Sequence, residues 1–257
     1  MGIAPSIQIR LDAIARDRRK GALELALAAL PILAQLNPGQ RGVAARALAK
    51  AQPAMAPLRW LATRLVEGAD PDHLVRHLIL ASGEASLHAA DLIQRRSTVL
   101  THSASSTVER ALHAARRPFR VVVTESRPLG EGARFATRLT GLGFDVQLIP
   151  DASICLWLPR VNLVLVGADA VTPSGVINKV GTRLLALAAR DAGVPFHVVC
   201  TTDKVVEEVG PGREEIYEVT PLSLITSIVT EEGACEPSAL IGARSAPSSK
   251  PRRSRAT

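Results

Sequence analysis

The chain has 257 residues, 47% of them apolar, and a formal net charge of +7 at pH 7. That length and composition mark a globular, core-forming protein of one large or two ordinary domains. The longest apolar stretch, 22–36, is broken by Glu24, Pro31 and Gln35 and falls short of the roughly 18 apolar residues of a membrane span, and residues 1–20 lack the uninterrupted apolar segment of a secretory signal. A cytoplasmic protein with no membrane contact is expected.

The charge is unevenly placed. Residues 244–257 hold Arg244, Lys250, Arg252, Arg253 and Arg255 and no acid, so this +5 leaves only +2 for the remainder. Residues 237–257 are therefore expected to be a disordered basic tail, too poor in apolar residues to fold, and able at most to touch nucleic acid weakly. Cys155, Cys200 and Cys235 are odd in number and widely spaced, which suits neither a disulfide framework nor a zinc knuckle. Cys155 and Cys200 are read as packing residues, and no metal or organic cofactor is expected.

From the start to residue 96 the pattern is helical. Ile7, Leu11 and Ile14 recur at helical spacing, and Ala-rich segments follow at 21–36, 40–51, 55–67 and 72–95, punctuated by Asn37-Pro38-Gly39, Gln52-Pro53 and Gly68-Ala69-Asp70-Pro71. A helical domain over 1–96 is expected. From Thr98 short β-branched runs alternate with amphipathic stretches, the grammar of a parallel α/β sheet. Strands are expected at 98–101, 120–124, 146–149, 163–166 and 196–199, and helices at 104–116, 130–142, 152–158, 176–192 and 221–229. The fold class is thus α/β, with a Rossmann-like parallel-sheet domain over 97–236 behind the helical one.

Ligands of such sheets bind outside the carboxyl ends of the strands, and polar residues collect at three of those ends. Thr101-His102-Ser103-Ala104-Ser105-Ser106 joins a strand to a helix, where its hydroxyls can serve either an anion or an ordinary N-cap. In Thr124-Glu125-Ser126-Arg127-Pro128-Leu129-Gly130-Glu131-Gly132 the arginine can fork onto a phosphate or pair with Glu125 or Glu131. The third end carries Asp169, followed by Asn178 and Lys179. A carboxylate, an amide and an ammonium suit proton transfer, hydroxyl recognition and phosphate neutralisation, and the last two equally suit a solvated helix start.

The segments VLTHSASS, ESRPLGEGARFA, GADAVTPSGVINKVGTRLLALAARDAGVPFHVV and YEVTPLSLITSIVTEEG together resemble one superfamily: the regulatory (α, β, δ) subunits of translation initiation factor two B, methylthioribose-1-phosphate isomerase and ribose-1,5-bisphosphate isomerase. The likeness runs from about Gly21 to Gly233. It implies a helical domain before a Rossmann-like one, a phosphorylated sugar or nucleotide as ligand, and a homodimer or larger assembly formed through the C-terminal domain. It also implies roles. The isomerases use an aspartate, which maps to Asp169, and a cysteine, which maps to Ser103; a thiol of pKa about 8.5 ionises far more readily than a hydroxyl. Glu131 stands where the isomerases have glutamine, Gln52 where they have arginine, and Arg19-Lys20-Gly21 is the nearest counterpart of their phosphate loop. Asn178 and Lys179 match sugar-phosphate contacts. The implied protein is of the regulatory type, with a ligand site of Ser103, Arg127, Glu131, Asn178 and Lys179 around Asp169; an active aldose-ketose isomerase is the alternative.

Overall fold

The computed structural model describes residues 3–209 and 216–245. Five helices come first: α1 Pro5–Arg16, α2 Ala22–Leu33, α3 Pro38–Ala51, α4 Ala56–Val66 and α5 Pro71–Asp91. Their boundaries follow local chemistry. The Asn37 side chain accepts from Gln40 N at 2.9 Å ahead of α3, Asp70 caps α5, and Pro38 and Pro71 occupy first turns, where the missing N–H costs nothing. Helix α2 is apolar on nearly every side and is buried at the centre of the helical layer, with Leu25, Ala26, Ala29 and Leu30 fully enclosed. The far end of α5 leaves that layer. Its Ala85, Ala89 and Ala90 join the core beneath the sheet.

The second region contains β1 Thr98–Thr101, α6 Ser106–Ala114, β2 Arg120–Thr124, α7 Glu131–Gly141, β3 Asp145–Ile149, α8 Ile154–Trp157, β4 Leu163–Val166, β5 Ala170–Thr172, β6 Gly175–Lys179, α9 Thr182–Asp191, β7 Phe196–Val199, β8 Tyr217–Thr220, β9 Ser227–Thr230, β10 Gly233–Cys235 and α10 Pro237–Ser245. The main sheet runs β10-β9-β7-β4-β1-β2-β3, parallel except for β10. Successive crossovers run outward from β1 to β2 and β3, then outward the other way from β4 to β7 and β9. The switch point, where a crevice opens in such sheets, is between β1 and β4. Alternate strand residues feed two cores: Leu100, Val122, Val164 and Val198 on one face, and Val99, Val121, Leu163 and Leu165 on the other. Among the described residues no helix is long and apolar enough to cross a membrane.

Three expectations are corrected. The helix expected at 176–192 starts only at Thr182. Before it, Ala170–Thr172 and Gly175–Lys179 form a hairpin that extends to β8 in a separate three-stranded antiparallel sheet. The apolar spacing of Val176, Ile177 and Val180 imitates a helix, but Gly181 at φ +101° ends the strand and opens α9. The helix expected at 221–229 is a single turn, Leu222–Leu224, followed by strand β9, whose Ile228 and Val229 are β-branched and fully buried. Finally, residues 237–245, read as the start of the tail, are helical, with Leu240 buried against the sheet core. The rest of the tail lies outside the described residues.

Candidate functional site

A small cleft, partly open to solvent, lies at the carboxyl ends of β1 and β4. Its walls are the loop between α1 and α2 (Arg19, Lys20, Gly21), the Ser103–Thr107 turn, Glu131, Gly167–Asp169, Asn178, Lys179, Lys204 and Tyr217.

The turn after β1 sets the geometry. Ser103 is held at φ +66°, an uncommon conformation for a residue with a side chain, and its N–H donates to Ser126 Oγ at 2.7 Å. Beside it His102 is buried, and burial lowers its pKa. Its Nε2–H donates to the Val180 carbonyl at 2.8 Å, so Nδ1 accepts from the Thr124 hydroxyl at 2.6 Å. A neutral ring forms no ion pair with Asp151, 4.0 Å away. The ring rests on Gly181, where a Cβ would lie 2.7 Å from His102 Cε1. His102 thereby fastens the turn after β1 to the turn after β6 and brings Lys179 to the same cleft as Ser103.

Glu131 opens α7, where the helix N-terminus favours a carboxylate. The helix can approach β2 this closely because residue 132 is glycine; any Cβ there would stand 1.9 Å from the Thr124 carbonyl oxygen. Ser103 Oγ donates to Glu131 Oε1 at 2.9 Å, and Lys179 Nζ stands 3.4 Å from that same oxygen. The other carboxylate oxygen, Oε2, is buried with no hydrogen-bond partner. Lys179 also lies over the Tyr217 ring, 4.7 Å from its centroid.

Asp169 forms the opposite wall and is 8% exposed. Desolvation raises its carboxyl pKa, against the opposing pull of Lys204, Lys179 and a hydrogen bond from the Ala22 backbone at the start of α2. Lys204 donates to the Ala168 carbonyl at 2.6 Å and holds the strand end that carries Asp169. The Asn178 amide donates to the Thr182 hydroxyl at 3.1 Å, and that hydroxyl donates to the Lys179 carbonyl at 2.6 Å.

Ser103, Glu131, Asp169, Asn178 and Lys179 therefore meet in one cleft, on a strand end, a helix start and a hairpin strand. Arg127 does not line it. The Arg127 side chain is exposed and paired with Glu125 at 3.2 Å, while its backbone N–H and that of Ser126 are fixed by the Asp151 carboxylate at 2.8 Å each. Gln52 is also elsewhere, donating to the Ile14, Ala15 and Asp17 carbonyls at the end of α1. Asn178 and Lys179 sit on a buried strand and not on a solvated helix start. Of the cysteines, Cys200 is buried, with its thiol pushed up to about 12 by desolvation, whereas Cys155 is exposed on α8 and packs into no core. Sequence reasoning missed Lys204 and Tyr217. Lys204 had a signal, since Thr201-Thr202-Asp203-Lys204 follows strand β7 at a carboxyl end just as the other polar groups follow theirs. Tyr217 had none. Among the described residues no group of three or more His, Cys, Asp or Glu is placed to hold a metal ion.

The sequence profile of the Initiation factor 2 subunit family matches residues 42–218. The chain belongs to this family. A putative translation initiation factor eIF-2B subunit 2-like protein of Pyrococcus abyssi is 34% identical over 63% of the chain and 66% of its own length, so the chain spans just under two thirds of that relative. A ribose 1,5-bisphosphate isomerase of Archaeoglobus fulgidus is 36% identical over 54% of each protein. In three dimensions the chain is similar to the translation initiation factor eIF-2B of Pyrococcus horikoshii OT3, with a TM-score of 0.81 and 28% identity over 93% of this chain and 100% of that one. Family members thus bear the names of both translation factors and isomerases, and fold alone does not choose between them.

Proposed function

We propose that this chain is a regulatory-subunit-type, initiation-factor-two-B-like protein whose cleft binds a phosphorylated sugar or nucleotide without isomerising it. The observation that carries this reading is the hydrogen bond from Ser103 to Glu131. At the position that matches the isomerases' cysteine there is a hydroxyl already donated to a carboxylate, and the neutral imidazole of His102 next to it has both nitrogens engaged, by Thr124 and by the Val180 carbonyl. An ordinary thiol ionises with a pKa of about 8.5, far more readily than a hydroxyl; a serine at neutral pH stays protonated and serves poorly as an acid or base. The same walls suit an anionic ligand. Arg19 and Lys20 stand at the rim, Lys179 and Lys204 stand within it, and the first turns of α2 and α6 face it with their N-termini.

A second reading, an active aldose-phosphate to ketose-phosphate isomerase, draws on Asp169. Burial raises the pKa of this carboxyl, which suits it better than an exposed one to carry a proton. Incubation of the purified chain with ribose 1,5-bisphosphate and with methylthioribose 1-phosphate separates the two readings. Binding without ketose formation supports the first, and ketose formation at an ordinary enzymatic rate, lost in Asp169→Asn, supports the second.

Assembly through the C-terminal region, as a homodimer or larger, belongs to the same proposal. Exposed Leu148 on edge strand β3, with exposed Leu142 and Leu156 in neighbouring segments, supports it. A monomer in sedimentation at micromolar concentration would contradict it. The unpaired cysteines suit the reducing cytoplasm.

A further inference from the structure

The charges inside the cleft are arranged to cancel. Lys179 is 6% exposed and Glu131 is 4% exposed, so neither charge is relieved by bulk water, and each is the other's counter-ion at 3.4 Å. Glu131 Oε1 also takes the Ser103 hydroxyl. One oxygen of one carboxylate thus occupies the ammonium and the hydroxyl that an incoming ligand oxygen would need. Its partner oxygen, Oε2, receives no hydrogen bond in return. A buried carboxylate left half-satisfied is costly. The α7 N-terminus and Lys179 offset part of that cost. The carboxylate also stands as a charge in the position that an inner ligand oxygen would take.

We propose that Glu131 is a built-in counter-anion that sets the specificity of this site. It neutralises Lys179 and engages Ser103, lowers the affinity of the inner cleft for a second phosphate or other dianion, and so restricts the site to ligands whose single phosphate stays at the Arg19–Lys20 rim. This rests on the ligand-binding reading above. The chemical class it selects is a monophosphate with an uncharged sugar portion directed inward. Bisphosphorylated sugars are disfavoured, because their second phosphate would meet Glu131 beside an ammonium that is already paired.

The test is calorimetric titration of the full chain and of Glu131→Gln with ribose 5-phosphate and with ribose 1,5-bisphosphate. Glutamine keeps the shape and the acceptor for Ser103 and removes the charge. The substitution is expected to tighten the bisphosphate by about a hundredfold or more, since one charge about 4 Å away at an effective dielectric of about 20 is worth roughly a thousandfold, and to change the monophosphate by less than about threefold. Equal changes for both ligands, or no gain for the bisphosphate, would overturn the proposal. Wild-type protein that binds neither ligand, with Glu131→Gln also inert, would instead overturn the ligand-binding reading on which it rests. Should Glu131→Gln fail to fold, the charge-swapped pair Glu131→Lys with Lys179→Glu keeps a neutral pair. It is expected to preserve the wild-type preference for the monophosphate, and a preference for the bisphosphate there would count against the proposal.

Discussion

The Ser103 hydroxyl donates to Glu131 Oε1 at 2.9 Å, and this contact joins the turn after β1 to the start of α7. Neither residue is polar by accident of exposure; both are buried where three separate elements meet. The chemistry open to the cleft is governed by that pair and by Lys179, which approaches the same oxygen.

Replacing Ser103 by cysteine therefore does not by itself create a reactive thiolate. The new thiol would be buried beside the Glu131 carboxylate, and desolvation and a like charge both disfavour its ionised form. In a Cys155→Ser background, which removes the exposed cysteine, the Ser103→Cys thiol is expected to alkylate with a midpoint above the ordinary value of about 8.5. Adding Glu131→Gln is expected to lower that midpoint, because Lys179 is then left as the nearest charge. Iodoacetamide rates against pH measure both; a midpoint below 8 in the single variant would contradict the account.

Lys179 and Asp169 differ in what their loss leaves behind. Lys179→Ala leaves Glu131 buried without its counter-ion and is expected to cost about 3 kcal/mol. Asp169→Asn replaces a carboxyl whose charged form burial already disfavours, so it is expected to cost little. The sign with pH follows from the raised pKa. An Asp169 contribution is fully present below the unfolded value of about 3.9 and is lost as pH rises through the higher folded value, so Asp169→Asn gains stability relative to wild type as pH rises. Urea unfolding at several pH values tests both statements; equal and negligible effects of the two substitutions would contradict them.

His102 supplies a pH dependence of the opposite sense. Its folded pKa is depressed by burial, so the unfolded chain takes up its proton first. The stability it contributes is present above about pH 6.5 and is lost as pH falls below that value. His197 is shifted the same way by the same cause and adds to the slope. Unfolding free energies of His102→Gln are expected to fall less steeply than those of wild type between pH 7 and pH 5. Parallel slopes would mean that the histidine titrates freely in the folded protein.

Much of this arrangement was legible in the sequence, for physical reasons. The runs at 98–101, 120–124, 163–166 and 196–199 are short, β-branched and buried on both faces, and a parallel sheet imposes that pattern without help from distant residues. Asp169 and Ser103 could be placed because a strand end is a local event. The hairpin at Ala170–Lys179 could not, because Val176, Ile177 and Val180 satisfy helical and extended spacing alike, and the choice is made by β8 and by His102 seated on Gly181, both remote in sequence. Arg127 was drawn toward the cleft by its motif, whereas its side chain finds Glu125 two residues away. The role of Glu131 was half legible: its charge could be read, but its pairing with Lys179 is a tertiary fact.

The central claim, a ligand held without isomerisation, is tested most directly by following ribose 1,5-bisphosphate and methylthioribose 1-phosphate by phosphorus and carbon NMR in the presence of the purified chain. The account predicts methylthioribose 1-phosphate spectra perturbed by binding and weakened in Lys179→Ala, a smaller perturbation of ribose 1,5-bisphosphate, and no ketose signal accumulating from either over hours. Ketose formation at an ordinary enzymatic rate that disappears in Asp169→Asn would contradict it and would make Asp169 a catalytic residue of an active isomerase.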